Sequence, residues 1–256
     1  MTDELFSLKG KTAMVSGASS GLGRHMAQVL ARAGAMVAVA ARRRDRLDSL
    51  VAEIEKAGGR ATAVAMDVTD VKSIVAAFDA AEKALGTVTV LLNNAGGVTR
   101  KGSLETTPED WDAVMNVNLK GAFFTATEAA RRMIAAKTGG AIVTTASIAG
   151  IRPAGGVAAY AGSKAAIDHL TRTMAQEWAR FGIRANAIAP GYFVTDLNRD
   201  FLTSEAGQAI AKRIPLRRFG ADGDLDGALL LLASDAGRFM TGTTIVVDGG
   251  HLVAAL

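Results

Sequence analysis

Not one cysteine occurs in the chain, so disulfide cross-links, thiolate nucleophiles and cysteine metal sites are all excluded. Three histidines remain as imidazole ligands, His25, His169 and His251. None is spaced with a carboxylate or a second imidazole in the manner of a metal site, so no metal is expected. Proline is scarce, with four residues, and no stretch is rich enough in Pro, Gly and Ser to read as an interdomain linker. The longest aliphatic run, Ala228 to Ala233, falls far short of the roughly 20 residues that span a bilayer, so no membrane association is expected. Met1 to Thr12 lack the basic flank and apolar stretch of a secretory signal, and the expectation is a cytoplasmic protein. The net charge of +4 includes short basic clusters at Arg42–Arg44, Arg131–Arg132 and Arg217–Arg218. They are separate and carry no interleaved aromatics, so they read as solvated faces and not as a nucleic-acid surface.

What is abundant is apolar: 49% of 256 residues, against 21% charged, the balance of a chain with a large buried core. Short aliphatic or β-branched runs alternate with longer helical patterns, the signature of βαβ units. Seven strands are predicted, at Thr12–Ser16, Met36–Ala40, Ala61–Met66, Val88–Leu92, Ala141–Ala146, Arg184–Ala189 and Thr244–Val247. Helices are predicted near 21–33, 43–57, 70–85, 108–136, 157–181 and 222–233. Runs such as Ala141-Ile142-Val143 are apolar without alternation, as strands buried on both faces must be. The fold class is therefore α/β: a single domain over 1–256, a doubly wound Rossmann-type fold with a seven-stranded parallel sheet. One segment, 191–215, breaks the rhythm and is a candidate substrate lid.

Ser16-Gly17-Ala18-Ser19-Ser20-Gly21-Leu22-Gly23 follows the first strand and opens a helix. Three glycines there permit a tight turn and close approach of backbone to a pyrophosphate, which the helix N-terminus attracts. At the end of the second strand, where enzymes using NAD commonly place an acid for the ribose 2′-hydroxyl, stand Ala40-Ala41 followed by Arg42, Arg43 and Arg44. Guanidinium groups suit a 2′-phosphate, so NADP(H) is expected in preference to NAD(H), with Arg42 and Arg43 as its contacts. The plainer alternative is that the arginines only begin a solvated helix.

Tyr160 and Lys164 are four apart in a helical stretch and share one face. An ammonium beside a phenol favours phenolate, and a lowering by about three units would correspond to roughly 4 kcal/mol. Ser147 stands at the end of the fifth strand, the edge beyond which ligands of open α/β sheets bind. There a hydroxyl can hold a substrate oxygen while Tyr160 exchanges its proton. Taken singly, such a pair recurs by chance in helices, and such a serine often only caps a turn.

Together these residues resemble the short-chain dehydrogenase/reductase family over essentially the full length, from Leu8-Lys9-Gly10-Lys11 to Val247-Asp248-Gly249-Gly250. The matching motifs are the glycine turn, Asn93-Asn94-Ala95-Gly96, Asn116-Val117-Asn118-Leu119-Lys120-Gly121, Ser147, Tyr160-x-x-x-Lys164 and Pro190-Gly191. The resemblance implies Tyr160 as general acid/base, Lys164 as the group that lowers its pKa and binds the nicotinamide ribose, Ser147 as the carbonyl anchor, and Asn118 as holder of a water linking Lys164 to solvent. It implies adenosine contacts from Asp67, Val68, Asn94, Ala95 and Gly96, phosphate contacts from Gly17, Ser19, Ser20, Gly21, Leu22 and Gly23, and nicotinamide contacts from Pro190, Gly191 and Thr195. It further implies a homotetramer built through the two long helices and a carboxyl-terminal contact. Ser16 stands where the family usually has threonine, which preserves the hydroxyl.

The substrate is expected to be a small-molecule carbonyl or alcohol. Leu5–Lys11, Pro190–Thr195 and Val247–Val253 look like members acting on sugar acids, gluconate 5-dehydrogenases in particular, and Arg100, Lys101 or Arg152 could meet the carboxylate. The alternatives are a 3-oxoacyl-[acyl-carrier-protein] reductase, with Lys137 and Arg180 facing an acidic carrier, and a broad ketone reductase with a pocket of Ile148, Tyr192 and Phe193. A non-catalytic NADP(H)-binding redox sensor is the reading from outside enzymology, and a sensor has no chemical need for all of Tyr160, Lys164, Ser147 and Asn118.

Overall fold

The computed structural model describes residues 2–195 and 198–254. Elements follow in the order α1 (Thr2–Leu5), β1 (Thr12–Ser16), α2 (Gly21–Arg32), β2 (Met36–Ala41), α3 (Arg44–Lys56), β3 (Arg60–Ala65), α4 (Val71–Leu85), β4 (Val90–Asn93) and α5 (Pro108–Met115). They continue with α6 (Ala122–Ala136), β5 (Gly140–Thr145), α7 (Ala158–Trp178), β6 (Ile183–Pro190), α8 (Arg199–Thr203), α9 (Glu205–Ala211), α10 (Asp226–Ala233) and β7 (Thr244–Val247). The seven strands form one parallel sheet in the order β3-β2-β1-β4-β5-β6-β7. Chain direction across the sheet reverses between β1 and β4, and there the carboxyl ends of neighbouring strands open a crevice.

Alternation along each strand divides the core between two faces. Val15, Val37 and Val39 pack with Met26 and Leu30 of α2, Leu47 and Leu50 of α3, and Leu229 and Leu232 of α10. Met14, Ala38 and Leu91 pack on the other face with Ile74 and Phe78 of α4, Met133 of α6 and Met174 of α7. All five residues of β1 are buried, as the unalternated apolar run requires. Arg132 of α6 clamps α4 by bonding Asp79 (2.7 Å) and Glu82 (2.9 Å), besides Glu128 on its own helix (2.8 Å).

One expectation is corrected. The single helix read over 108–136 is interrupted: α5 passes through a π-helical stretch, Asn116–Gly121, before α6 begins. The wider turn coincides with Asn118, whose side chain is engaged by the loop after β4. The segment 191–215, read as a candidate lid, contains α8 and α9 and buries Phe193, Leu202, Ala211 and Ile214. Residues 196 and 197 of that segment lie outside the described residues. Among the described residues no helix is long and apolar enough to cross a membrane.

Candidate active site

A continuous cleft of ≈ 1180 Å³ runs over the carboxyl ends of the strands. Its lining includes every expected catalytic and cofactor residue except Asn118. At one end Gly17, Ser19, Ser20, Gly21, Leu22 and Gly23 form the turn from β1 into α2. Gly17 has φ +69°, and a Cβ there would lie 2.8 Å from the Ala95 Cα, so the two loops meet at a distance only glycine allows. Ser20 caps α2 in extended conformation but makes no side-chain cap bond, which leaves the first N–H groups of the helix free for an anion.

Ser16 ties the loops behind this turn. Its hydroxyl accepts from the backbone N–H of Asn94 (2.9 Å) and Ala95 (3.0 Å) and donates to Asn93 Oδ1 (3.3 Å). Asn94 accepts in turn from the Thr145 hydroxyl (3.2 Å), joining β4 to β5 beneath the cleft with Gly96 following. Asp67 and Val68 border the same end. The N–H and hydroxyl of Thr69 both donate to Asp67, and these bonds, with the charge of Arg42, hold its carboxyl below the usual range. Asp67 thus serves as a turn former as well as a cleft residue.

The three consecutive arginines separate. Arg42 and Arg43 line the cleft, whereas Arg44 pairs with Asp48 (2.8 Å) on α3. Arg43 reaches back over the glycine turn and donates to Ser19 Oγ (2.9 Å) and Ser20 Oγ (3.2 Å). It is placed at least as well as Arg42, the residue nearer the strand end.

At the other end α7 presents Tyr160 and Lys164 one turn apart. Lys164 is buried, and its ammonium donates to the Thr145 carbonyl (2.7 Å) and sits 5.8 Å from the centre of the Tyr160 ring. Loss of water around Lys164 pushes its pKa down to about 8. Burial raises the Tyr160 phenol, opposed by the Ser147 hydroxyl and the charge of Arg100. The ammonium of Lys164 is turned onto the Thr145 carbonyl, and burial is the largest influence on the phenol.

Ser147 lies two residues beyond β5 and accepts from the N–H of Ala149 (3.1 Å), so it caps a short turn while facing the cleft. That turn seats directly on α7, because a Cβ at Gly150 would come within 2.7 Å of the Lys164 carbonyl carbon. Gly150 thereby fixes Ser147 relative to Lys164, a role no motif marked. Asn118 lies behind the lining, 1% exposed. Its amide pairs with both backbone groups of Gly97, accepting at 2.8 Å and donating at 2.8 Å, and donates to Ser163 on α7 (3.1 Å). Both amide hydrogens are committed, so a water relay through this side chain would have only an oxygen lone pair to use.

Pro190 ends β6 against β7, and Gly191, the next residue, donates to the Val247 carbonyl (2.9 Å). Thr195 comes across the cleft opposite Gly21 and is held through its N–H by Asn198 Oδ1 (2.7 Å). Of the cations suggested for substrate, Arg100 and Arg152 line the cleft, while Lys101 turns away to Asp110 (2.5 Å). Arg213, from the candidate lid, also lines it and was not anticipated, since no motif surrounds it.

The family profile described as "Enoyl-(Acyl carrier protein) reductase" matches residues 17–251. The chain is 37% identical over 252 residues to gluconate 5-dehydrogenase of Gluconobacter oxydans, covering 98% of each. It is 38% identical over 247 residues to a 3-oxoacyl-[acyl-carrier-protein] reductase of Thermotoga maritima, covering 96% of this chain and 99% of that one. Among solved structures, a gluconate 5-dehydrogenase from Burkholderia cenocepacia in complex with NADP and tartrate superposes with TM-score 0.95 at 37% identity, covering 100% of both chains.

Proposed function

The chain belongs to the short-chain dehydrogenase/reductase family, and from that premise we propose that it interconverts a secondary alcohol and a ketone on a sugar acid, as a gluconate 5-dehydrogenase does, using NADP(H) in preference to NAD(H). The observation that carries this reading is one cleft with the glycine turn, Arg42 and Arg43 at one end and Ser147, Tyr160 and Lys164 at the other. Residues fit the cofactor: the uncapped start of α2 suits the pyrophosphate and Arg42 and Arg43 suit a 2′-phosphate, while Asp67, Val68 and Asn94–Gly96 would border adenosine and Pro190, Gly191 and Thr195 would border nicotinamide. When bound, the cofactor supplies or accepts the hydride.

The remaining chemistry belongs to the chain. Ser147 orients the substrate oxygen, and Tyr160 gives that oxygen a proton in reduction or takes one in oxidation. A raised phenol holds its proton at neutral pH, which favours reduction there, whereas oxidation needs phenolate and gains with rising pH. Lys164 would hold the nicotinamide ribose, its ammonium one helical turn from Tyr160, and Asn118 acts as a positioning residue by fixing Gly97 to α7. Arg100, whose charge acts on Tyr160, places a cation beside the reacting end, as an acidic substrate would require. Half-exposed Trp111 on α5 and the exposed side chains of Phe239 and Val253 would supply apolar surface for a cytoplasmic homotetramer.

Nicotinamide absorbance with 5-keto-gluconate, an acetoacetyl thioester and simple aryl ketones, each with NADPH and NADH, tests the reading. Turnover should be best with the keto acid and NADPH. A preference for the thioester would make the protein an acyl-carrier reductase, and tight NADPH binding without turnover on any substrate would favour a sensor. Arg43→Ala should weaken NADPH by about 10- to 100-fold, the worth of one charge-assisted contact, and leave NADH unchanged.

A further inference from the structure

The cations of the cleft fall into two groups. Arg42 and Arg43 flank the glycine turn, whereas Arg100, Arg152 and Arg213 stand toward the substrate end. Arg100 acts by its charge on Tyr160, beside the reacting end, and its guanidinium lies 5.3 Å from the centre of the Phe201 ring. Arg152 and Arg213 converge on a different feature, the turn at His251 that follows β7.

Three separate stretches build this corner. Arg152, from the loop after Ser147, donates to the His251 carbonyl (3.0 Å). The chain after Arg213 is pinned to the same turn, with Ile214 buried and the Leu216 N–H donating to the Gly249 carbonyl (3.2 Å). The imidazole of His251 packs 5.6 Å from the Tyr192 ring, and the charges of Arg152 and Arg213 both act on it. Its Nδ1 is buried without a hydrogen-bond partner. Asp248, the nearest acid, is already committed, accepting from the N–H groups of Gly250 (2.8 Å) and Leu252 (2.7 Å). Among the described residues neither Arg152 nor Arg213 is paired with a carboxylate. Two guanidinium groups without a carboxylate partner line one cleft beside the His251 ring, a pair of donors that lacks an anion.

We propose that Arg213, with Arg152, binds the carboxylate of the substrate at a point remote from the carbon that exchanges hydride. The proposal rests on the sugar-acid reading and sharpens it. In a six-carbon acid reacting four bonds from its carboxylate, the two ends are roughly 5 Å apart, so a second cationic corner beyond Arg100 is what such a chain would reach. Arg213 stands on the segment after β6, so the same contact would tie that segment to the substrate. The role is in binding and specificity, and the reacting atoms are left to Tyr160 and Ser147.

The test is Arg213→Met assayed on a six-carbon aldonate and on the uncharged hexitol of the same length, with Arg213→Lys as the conservative variant. NADPH affinity is followed by fluorescence in each. The expected result is a KM for the aldonate raised about 10- to 100-fold with kcat changed less than about threefold, partial recovery in Arg213→Lys, and unchanged hexitol KM and NADPH affinity. An unchanged aldonate KM, or an equal rise for aldonate and hexitol, overturns the subsite while the sugar-acid reading stands. Wild-type enzyme that oxidises uncharged alcohols but no polyhydroxy acid overturns both.

Discussion

Ser16→Ala removes one oxygen atom from a site with 0% exposure, and its cost follows from the bonds that atom makes. The hydroxyl uses its full capacity, accepting from Asn94 N–H at 2.9 Å and Ala95 N–H at 3.0 Å and donating to Asn93 Oδ1 at 3.3 Å. Truncation strands two backbone donors, at about 1–3 kcal/mol each when water cannot replace the oxygen. Asn94 and Ala95 are only partly buried, so some rehydration brings the expected loss to about 2–3 kcal/mol. Urea denaturation at fixed protein concentration reads this as a midpoint shift near 1 M if m is about 3 kcal/mol/M. Ser16→Thr keeps the hydroxyl and should stay within about 1 kcal/mol of wild type. Because Ala95 abuts Gly17, Ser16→Ala should also weaken NADPH binding. A variant within about 0.5 kcal/mol of wild type, with unchanged cofactor affinity, would refute the claim that this hydroxyl braces the loops.

Lys164→Met should abolish turnover yet stabilise the fold. A drop from 10.5 to about 8 is equivalent to about 3 kcal/mol against the charged form, from which the lost bond to Thr145 takes back about 1 kcal/mol. Since the folded pKa lies below the unfolded one, the penalty is full below pH 8 and fades as pH rises toward 10.5, so the variant's advantage, measured by denaturation across that range, should shrink with it. Arg132→Met removes the clamp between α4 and α6 and strands Glu82 and Glu128. A loss of about 2 kcal/mol, seen as a fall in Tm of roughly 4–8 °C with kcat unchanged, is expected.

Much of the architecture was legible because buried parallel strands must be apolar without alternation. Strand limits from the sequence agree within two residues, as with Val88 predicted and Val90 observed for β4. The π-helical stretch was hidden: apolar periodicity runs through Val117 and Leu119 unbroken, and the distortion accompanies bonds from Asn118 to Gly97, 21 positions away. Neighbours also diverged for reasons no local pattern carries. Arg100 enters the cleft while Lys101 meets Asp110, and Arg43 folds back to Ser19 and Ser20 while Arg44 stays on its helix with Asp48. Arg213 was invisible because only the packing of Ile214 and Leu216 against the turn after β7 brings it to the cleft.

The central claim is that Tyr160 carries the proton to and from the substrate oxygen in this cleft. The direct measurement is NADPH consumption with 5-keto-gluconate by wild type and Tyr160→Phe, with NADPH affinity measured alongside by fluorescence. The account predicts a loss of about 10²- to 10⁴-fold in kcat with cofactor affinity within about threefold of wild type. Turnover in Tyr160→Phe within about tenfold of wild type would contradict it.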